Sequence, residues 1–140
     1  MKQNITIDQL EELSLEQQIK LRDLWKPKQY DLVAYTYEYH EGLETDKVII
    51  KGLYNNDPNL VEEVSDMEGE YVFPKGDCLP LLSIGQMIEY LRQYKLDIND
   101  SNYREGEWFI FLNKYRGSNN YFRNTEIIDA LWEAVKECLN

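Results

Sequence analysis

The stretch EWFIFLNKYRGSNNYFRNTEIIDALWEAVKECLN (Glu107–Asn140) decides the fold class. Its first seven residues are apolar at odd and even positions alike, as in a central strand covered on both sides. RGSNN (Arg116–Asn120) is dense in turn formers and returns the chain into a short strand around Tyr121–Arg123. Thr125 stands where an N-cap belongs. Beyond it, Ile128, Leu131, Trp132, Val135 and Leu139 recur at helical spacing and form one buried stripe. Strand, turn, strand and amphipathic helix in immediate succession predict helices packed on an antiparallel sheet.

Upstream, Ser83 is placed to cap a second helix, with Ile84, Met87, Ile88, Leu91 and Tyr94 on one face. The stripes of the two helices are expected to share one core. Asp97, Asn99, Asp100, Ser101 and Asn102 read as a polar loop. Further toward the N-terminus, DLVAYTYEY (Asp31–Tyr39) alternates with Val33, Tyr35, Tyr37 and Tyr39 on one side, and KVIIKGLY (Lys47–Tyr54) alternates likewise. HEGLETD between them suits a loop longer than a tight turn, so the pair reads as a hairpin. Asn55–Asn59 is a breaker. In LVEEVSDMEGEYVFPKGD, Val61, Val64 and Met67 have weak helical spacing, and Glu70–Phe73 reads as a strand stopped by Pro74. The first helix starts at a Ser14/Gln17 capping box and runs through Leu15, Ile19 and Arg22 to Leu24 and Trp25. Leu10 and Leu13 suggest a short turn before it. Pro27 stops it, and Lys20, Arg22, Lys26 and Lys28 near its end complement the helix dipole. The expected architecture is α+β: a small antiparallel sheet of about four to five strands packed with three helices, one compact domain over residues 1–140.

Composition narrows the function classes. The 140 residues carry 26 acidic and 15 Lys/Arg side chains, a net charge of -11. Surface scaling gives about 7,600 Å² folded against about 24,000 Å² unfolded, enough for one core and too little for two. A chain at -11 is repelled by phosphate, which excludes sequence-independent binding to DNA or anionic membrane unless its few cations are strongly segregated. The polar N-terminus lacks the apolar segment of a signal peptide, and the longest apolar runs fall far short of a membrane helix, so a cytoplasmic protein is expected. Cys78 and Cys138 belong to no CxxC pair and read as reduced thiols used as small apolar side chains.

A search for catalytic chemistry finds no constellation. His40 is the one histidine, at the end of a strand beside Glu41, and reads as a solvated loop residue. The acid clusters lack calcium-loop spacing. The glycines form no phosphate-binding loop. No catalytic residue, metal site or cofactor is assigned. The acid asymmetry is more informative. Residues 38–77 hold eleven acids against Lys47, Lys51 and Lys75, so this segment supplies -8 of the -11. Glu41, Glu44, Asp46, Glu62, Glu63, Asp66, Glu68 and Glu70 form the candidate interaction surface, a one-signed field that attracts a basic partner. Eleven tyrosines are more than one core needs, and tyrosine beside carboxylate is an interface composition.

Three stretches, IKLRDLWKP (Ile19–Pro27), CLPLLSIGQMIEYL (Cys78–Leu91) and TEIIDALWEAVKECL (Thr125–Leu139), resemble small, mostly uncharacterised acidic proteins encoded in phages and prophages of Firmicutes. The similar stretches cover under a third of the chain and consist of core positions and caps. The resemblance implies a shared fold and a setting in which host machinery or a host defence protein is the partner, with no catalytic motif to carry over. The expected function is therefore a non-catalytic interaction protein that binds a protein with a basic surface, without direct contact to nucleic acid or membrane. A charge mimic that inhibits a nucleic-acid-binding defence or toxin protein, of anti-restriction, anti-CRISPR or immunity type, fits the same charge pattern. A carboxylate- or metal-dependent hydrolase is the alternative from another class.

Overall fold

A computed structural model describes residues 2–26, 31–38, 45–52, 60–65, 69–75, 78–100 and 106–140. It mixes helix and antiparallel strand, and the chain divides into two compact units, Thr6–Leu81 and Met1–Ile5 with Leu82–Asn140.

In the first unit, α1 (Ile7–Glu11) and α2 (Leu15–Leu24) each begin in a reciprocal capping box. Thr6 accepts from the Gln9 amide at 3.2 Å and Ser14 from the Gln17 amide at 3.1 Å, while each glutamine accepts from the backbone of its cap. These bonds satisfy the amides a helix start leaves free. The two helices are separate, and α2 ends as Trp25 turns extended, two residues before Pro27. The apolar pattern read along α2 is corrected. Leu15 is 74% exposed, and Ile19 and Leu24 are exposed too, while Leu10, Leu13, Leu21 and Trp25 are buried. Leu15 and Leu24 lie nine residues apart, half a revolution, so no single face collects both, whereas Leu21 and Trp25 lie one turn apart. Arg22 donates from Nε to the Cys78 carbonyl at 3.0 Å.

β1 (Asp31–Glu38) pairs antiparallel with β2 (Thr45–Gly52), Val33 opposite Ile50, as the hairpin reading expects. Its other edge takes β5 (Cys78–Pro80), Ala34 opposite Leu79, so β1 is central in the order β2-β1-β5. Val33 and Ala34 are neighbours on opposite faces and both are buried, so this sheet is covered on both sides there. The ambiguous segment resolves as strands: β3 (Leu60–Ser65) pairs with β4 (Gly69–Pro74). The β-branched Val61 and Val64 join a ladder instead of a helix face.

The second unit is built on β6 (Leu96–Asp100), β7 (Trp108–Leu112) and β8 (Tyr121–Asn124), in that spatial order and all antiparallel. α4 (Ile127–Cys138) packs on one side of this sheet, against β7 and β8, and α3 (Ile84–Leu91) packs on α4. Ile128, Leu131, Trp132 and Val135 are fully buried with Met87 and Leu91, as the two stripes require, while Ile84 and Ile88 remain half-exposed. The N-terminus straps onto α3 through an Asn4–Ser83 bridge, and Lys2 reaches Asp129 at 2.8 Å.

Three further expectations are corrected. The described strands form three antiparallel sheets rather than one of four or five strands. Of the stretch read as a polar loop, Asp97–Asp100 belongs to an edge strand whose half-buried Leu96 and Ile98 alternate with exposed Asp97 and Asn99, while Ser101 and Asn102 lie outside the described residues. Thr125 does not cap α4: the helix starts at Ile127, and Asn124 Oδ1 accepts from the Glu126 amide at 3.2 Å. The capping of α3 holds, with Ser83 accepting from the Gln86 amide at 3.1 Å.

Candidate functional site

Glu41, Glu44, Asp66 and Glu68 lie outside the described residues, as does His40. The others take register positions. Asp46 stands opposite Tyr37 on β2, Glu62 opposite Val72, Glu63 opposite Tyr71 and Glu70 opposite Val64. Alternation places positions 62 and 70 on one face of the β3–β4 ladder and position 63 on the other. What unites the acids is the unit they belong to. Thr6–Leu81 holds seventeen Asp/Glu against seven Lys/Arg, and Met1–Ile5 with Leu82–Asn140 holds nine against eight. The first unit therefore carries -10 of the net charge and the second -1.

The second unit holds an arrangement that composition alone conceals. β7 was expected to be covered on both sides. Ile110 and Leu112 are buried, whereas on the opposite face Phe109 is half-buried and Phe111 is 36% exposed. Tyr121 on β8 is directly opposite Phe111. Its ring centroid lies 4.9 Å from that of Phe111 and 5.7 Å from that of Phe109, nearly parallel to the latter at 24°. Three rings thus form a half-buried aromatic floor. On one side of it, β6 presents Asp97 opposite Phe111 and Asn99 opposite Phe109. On the other side Arg123, opposite Phe109, is exposed.

The loop joining β7 to β8 is held in place. The Tyr115 hydroxyl donates to the Glu137 carbonyl at 3.0 Å, and Ser118 donates to the Glu137 carboxylate at 2.8 Å. The Tyr115 ring lies over Gly117, where any side chain would collide with it. Tyr94 meets Tyr115 edge-on at 5.3 Å and Tyr90 meets Tyr94 edge-on at 6.2 Å. Asn113 closes the sheet end, donating from Nδ2 to Asp97 at 2.6 Å and to the Lys95 carbonyl at 3.0 Å. Several of the surplus tyrosines are accounted for here: Tyr90, Tyr94 and Tyr115 are half-buried and pin the loop to α4.

Beside this cluster, burial first and the Glu137 charge second push the Cys138 thiol up to about 12, and burial raises Tyr90 and Tyr115 above the ordinary phenol value. Cys138 is thus a protonated, poorly nucleophilic thiol at neutral pH. Cys78 is buried and forms no disulfide. Among the described residues no three His, Cys, Asp or Glu side chains gather as a metal site would require, and no helix is long and apolar enough to cross a membrane. The chain matches no protein-family model, no curated protein and no solved structure.

The sequence reading missed Phe109, Phe111, Tyr121 and Arg123 as surface residues. A signal was present: residues 108–125 are the longest acid-free run in a chain with 26 acids, and Phe-x-Phe and Tyr-x-Arg occupy alternate positions within it.

Proposed function

We propose that this is a non-catalytic interaction protein whose acid-rich unit binds a protein partner with a basic surface. The observation that carries the reading is the division of charge: -10 resides in Thr6–Leu81 while the rest of the chain is nearly neutral. Charge gathered on one unit gives a directional field, which steers a cationic partner and speeds its encounter, whereas charge spread evenly chiefly aids solubility. The resemblance to small acidic phage and prophage proteins supports the same reading, and the setting it implies is the cytoplasm of a Firmicutes host, with both units acting as one domain.

The test is association kinetics. Immobilised protein is challenged with a Firmicutes lysate at low and at high salt, and the on-rate of the captured basic protein is measured for wild type and a Glu41→Lys, Glu44→Lys, Glu68→Lys variant. Reversal slows association at low ionic strength, and the difference shrinks toward ~1 M salt, where the Debye length is about 3 Å. Circular dichroism verifies folding, since solvated charges contribute only about 0–1 kcal/mol each. Equal on-rates at every salt concentration, with both proteins folded, would assign the acids to solubility alone.

A further inference from the structure

The composition argument against nucleic acid holds only while the cations are dispersed, and in the second unit they are not. Lys114, Arg116 and Arg123 all fall in the acid-free run 108–125, all three are exposed, and none forms an ion pair among the described residues. Arg123 flanks the aromatic floor itself, and Lys114 and Arg116 sit on the loop that Tyr115 and Ser118 tie to Glu137. We propose that the open face of β6–β7–β8 is a stacking platform for single-stranded nucleic acid, independent of the acidic unit's role.

The chemistry divides by strand. The exposed faces of Phe111 and Tyr121 supply π-surfaces on which a base stacks, an interaction indifferent to base identity because every base has a π-face. Arg123, Lys114 and Arg116 supply phosphate contacts on the β8 side and at the loop. On the β6 side, Asn99 offers both a donor and an acceptor to a base edge, and Asp97 offers a carboxylate to a base-edge N–H, such as the N3–H of thymine or uracil, while Asn113 holds it in place. Asp97 lies two strands from Arg123, so the acid meets the base side of a bound strand and the cations meet its phosphate side.

Size selects this occupant over a protein. With strands ~4.8 Å apart and same-face residues ~6.8 Å apart, three strands bearing two such residues each offer about 200 Å². A stable protein interface takes about 800 Å² from each partner, whereas one or two stacked bases fit the smaller area. A double helix is a poor fit, since its bases are already stacked and its charge density meets the repulsion of the whole chain.

The test uses the full chain and fluorescein-labelled oligo(dT) and oligo(U) of about 12 nucleotides, read by anisotropy at about 50 mM salt, with a duplex of the same length as control. Both single strands are expected to bind and the duplex to bind at least tenfold more weakly. A preference between oligo(dT) and oligo(U) identifies which strand type the platform takes. Phe111→Ala and Tyr121→Ala, each at a partly exposed position, should weaken binding roughly 5- to 150-fold, the range of base–aromatic stacking. Changing Lys114, Arg116 and Arg123 together to Gln should flatten the dependence of log K on log salt by about 2, at ~0.7 per phosphate contact. No single-strand binding at protein concentrations up to about 100 μM would overturn the proposal. So would equal binding of the duplex, or full binding by both aromatic variants with native circular dichroism. A protein partner lost on Phe111→Ala, with no oligonucleotide bound by wild type, would overturn it in favour of protein docking.

Discussion

Trp132→Ala is the sharpest probe of how the second unit is held together. Trp132 is fully buried in the middle of α4, between Ile128 and Val135 along the helix, on the side that packs against α3, β7 and β8. Removing its ring withdraws about 200 Å² of apolar surface from the core, about 5 kcal/mol at ~25 cal/mol per Å² and an upper bound because unfolded chains already bury part of it. Core truncations of this size cost about 3–5 kcal/mol once partial collapse of the cavity is included. Native domains hold only about 5–15 kcal/mol in total, so the variant should fold but with a large share of its stability gone. In urea, with a slope of about 2 kcal/mol per molar, the midpoint should fall by roughly 1.5–2.5 M. Far-UV circular dichroism is the readout of choice, because the substitution also removes one of only three tryptophans from the fluorescence signal. Leu15→Ala is the matched control: an apolar truncation at a site 74% exposed, expected to stay within about 0.5 kcal/mol. A loss below about 1 kcal/mol for Trp132→Ala, at unchanged slope, would refute the assignment of α4 to the centre of this core.

Two other outcomes follow from local chemistry. Ser83→Ala removes the hydroxyl that accepts from the Gln86 amide, while the backbone amide at position 83 still donates to the Gln86 side chain; urea unfolding should show a loss of about 1 kcal/mol, and no loss would mean that the α3 start is satisfied by other groups. Alkaline pH should weaken the fold. Cys138, Tyr90 and Tyr115 are acids whose folded values are raised, so the unfolded chain releases protons first, and stability, full below about pH 9, declines as pH rises from 9 toward 12. Melting temperature against pH for wild type and Cys138→Ala measures the thiol's share, and alkylation of Cys138 at pH 8 as fast in the folded as in the unfolded protein would contradict the raised value.

Whatever depends on near neighbours was legible before any coordinates. The Ser14/Gln17 capping box, the Ser83 cap, the hairpin read over 31–39 and 47–54 and found over 31–38 and 45–52, the stop of α2 ahead of Pro27 and the buried stripe of α4 each rest on residues a few positions apart, or on one hairpin. Backbone sterics, capping bonds and amphipathic period act at that range, so they can be read directly from spacing.

Tertiary packing decided the rest, because burial depends on which elements arrive from far along the chain. Phe109, Ile110, Phe111 and Leu112 are equally apolar as letters, yet α4 packs on β7 so that Ile110 and Leu112 enter the core while Phe111 meets solvent beside Tyr121. Leu96–Asp100 became a strand because β7 offered an edge to pair with, although its polar residues suit a loop. The helical spacing of Leu15 and Ile19 counted for nothing, since the core lies on the side of Leu21 and Trp25. The charge was countable from the start, but its division into a unit of -10 and a unit of -1 required knowing that Met1–Ile5 packs with residues 82–140 and that the chain between them forms a body of its own. Sequence counts charges and apolar groups. Folding decides which of them share a surface, because that choice is made by contacts between residues distant in the chain.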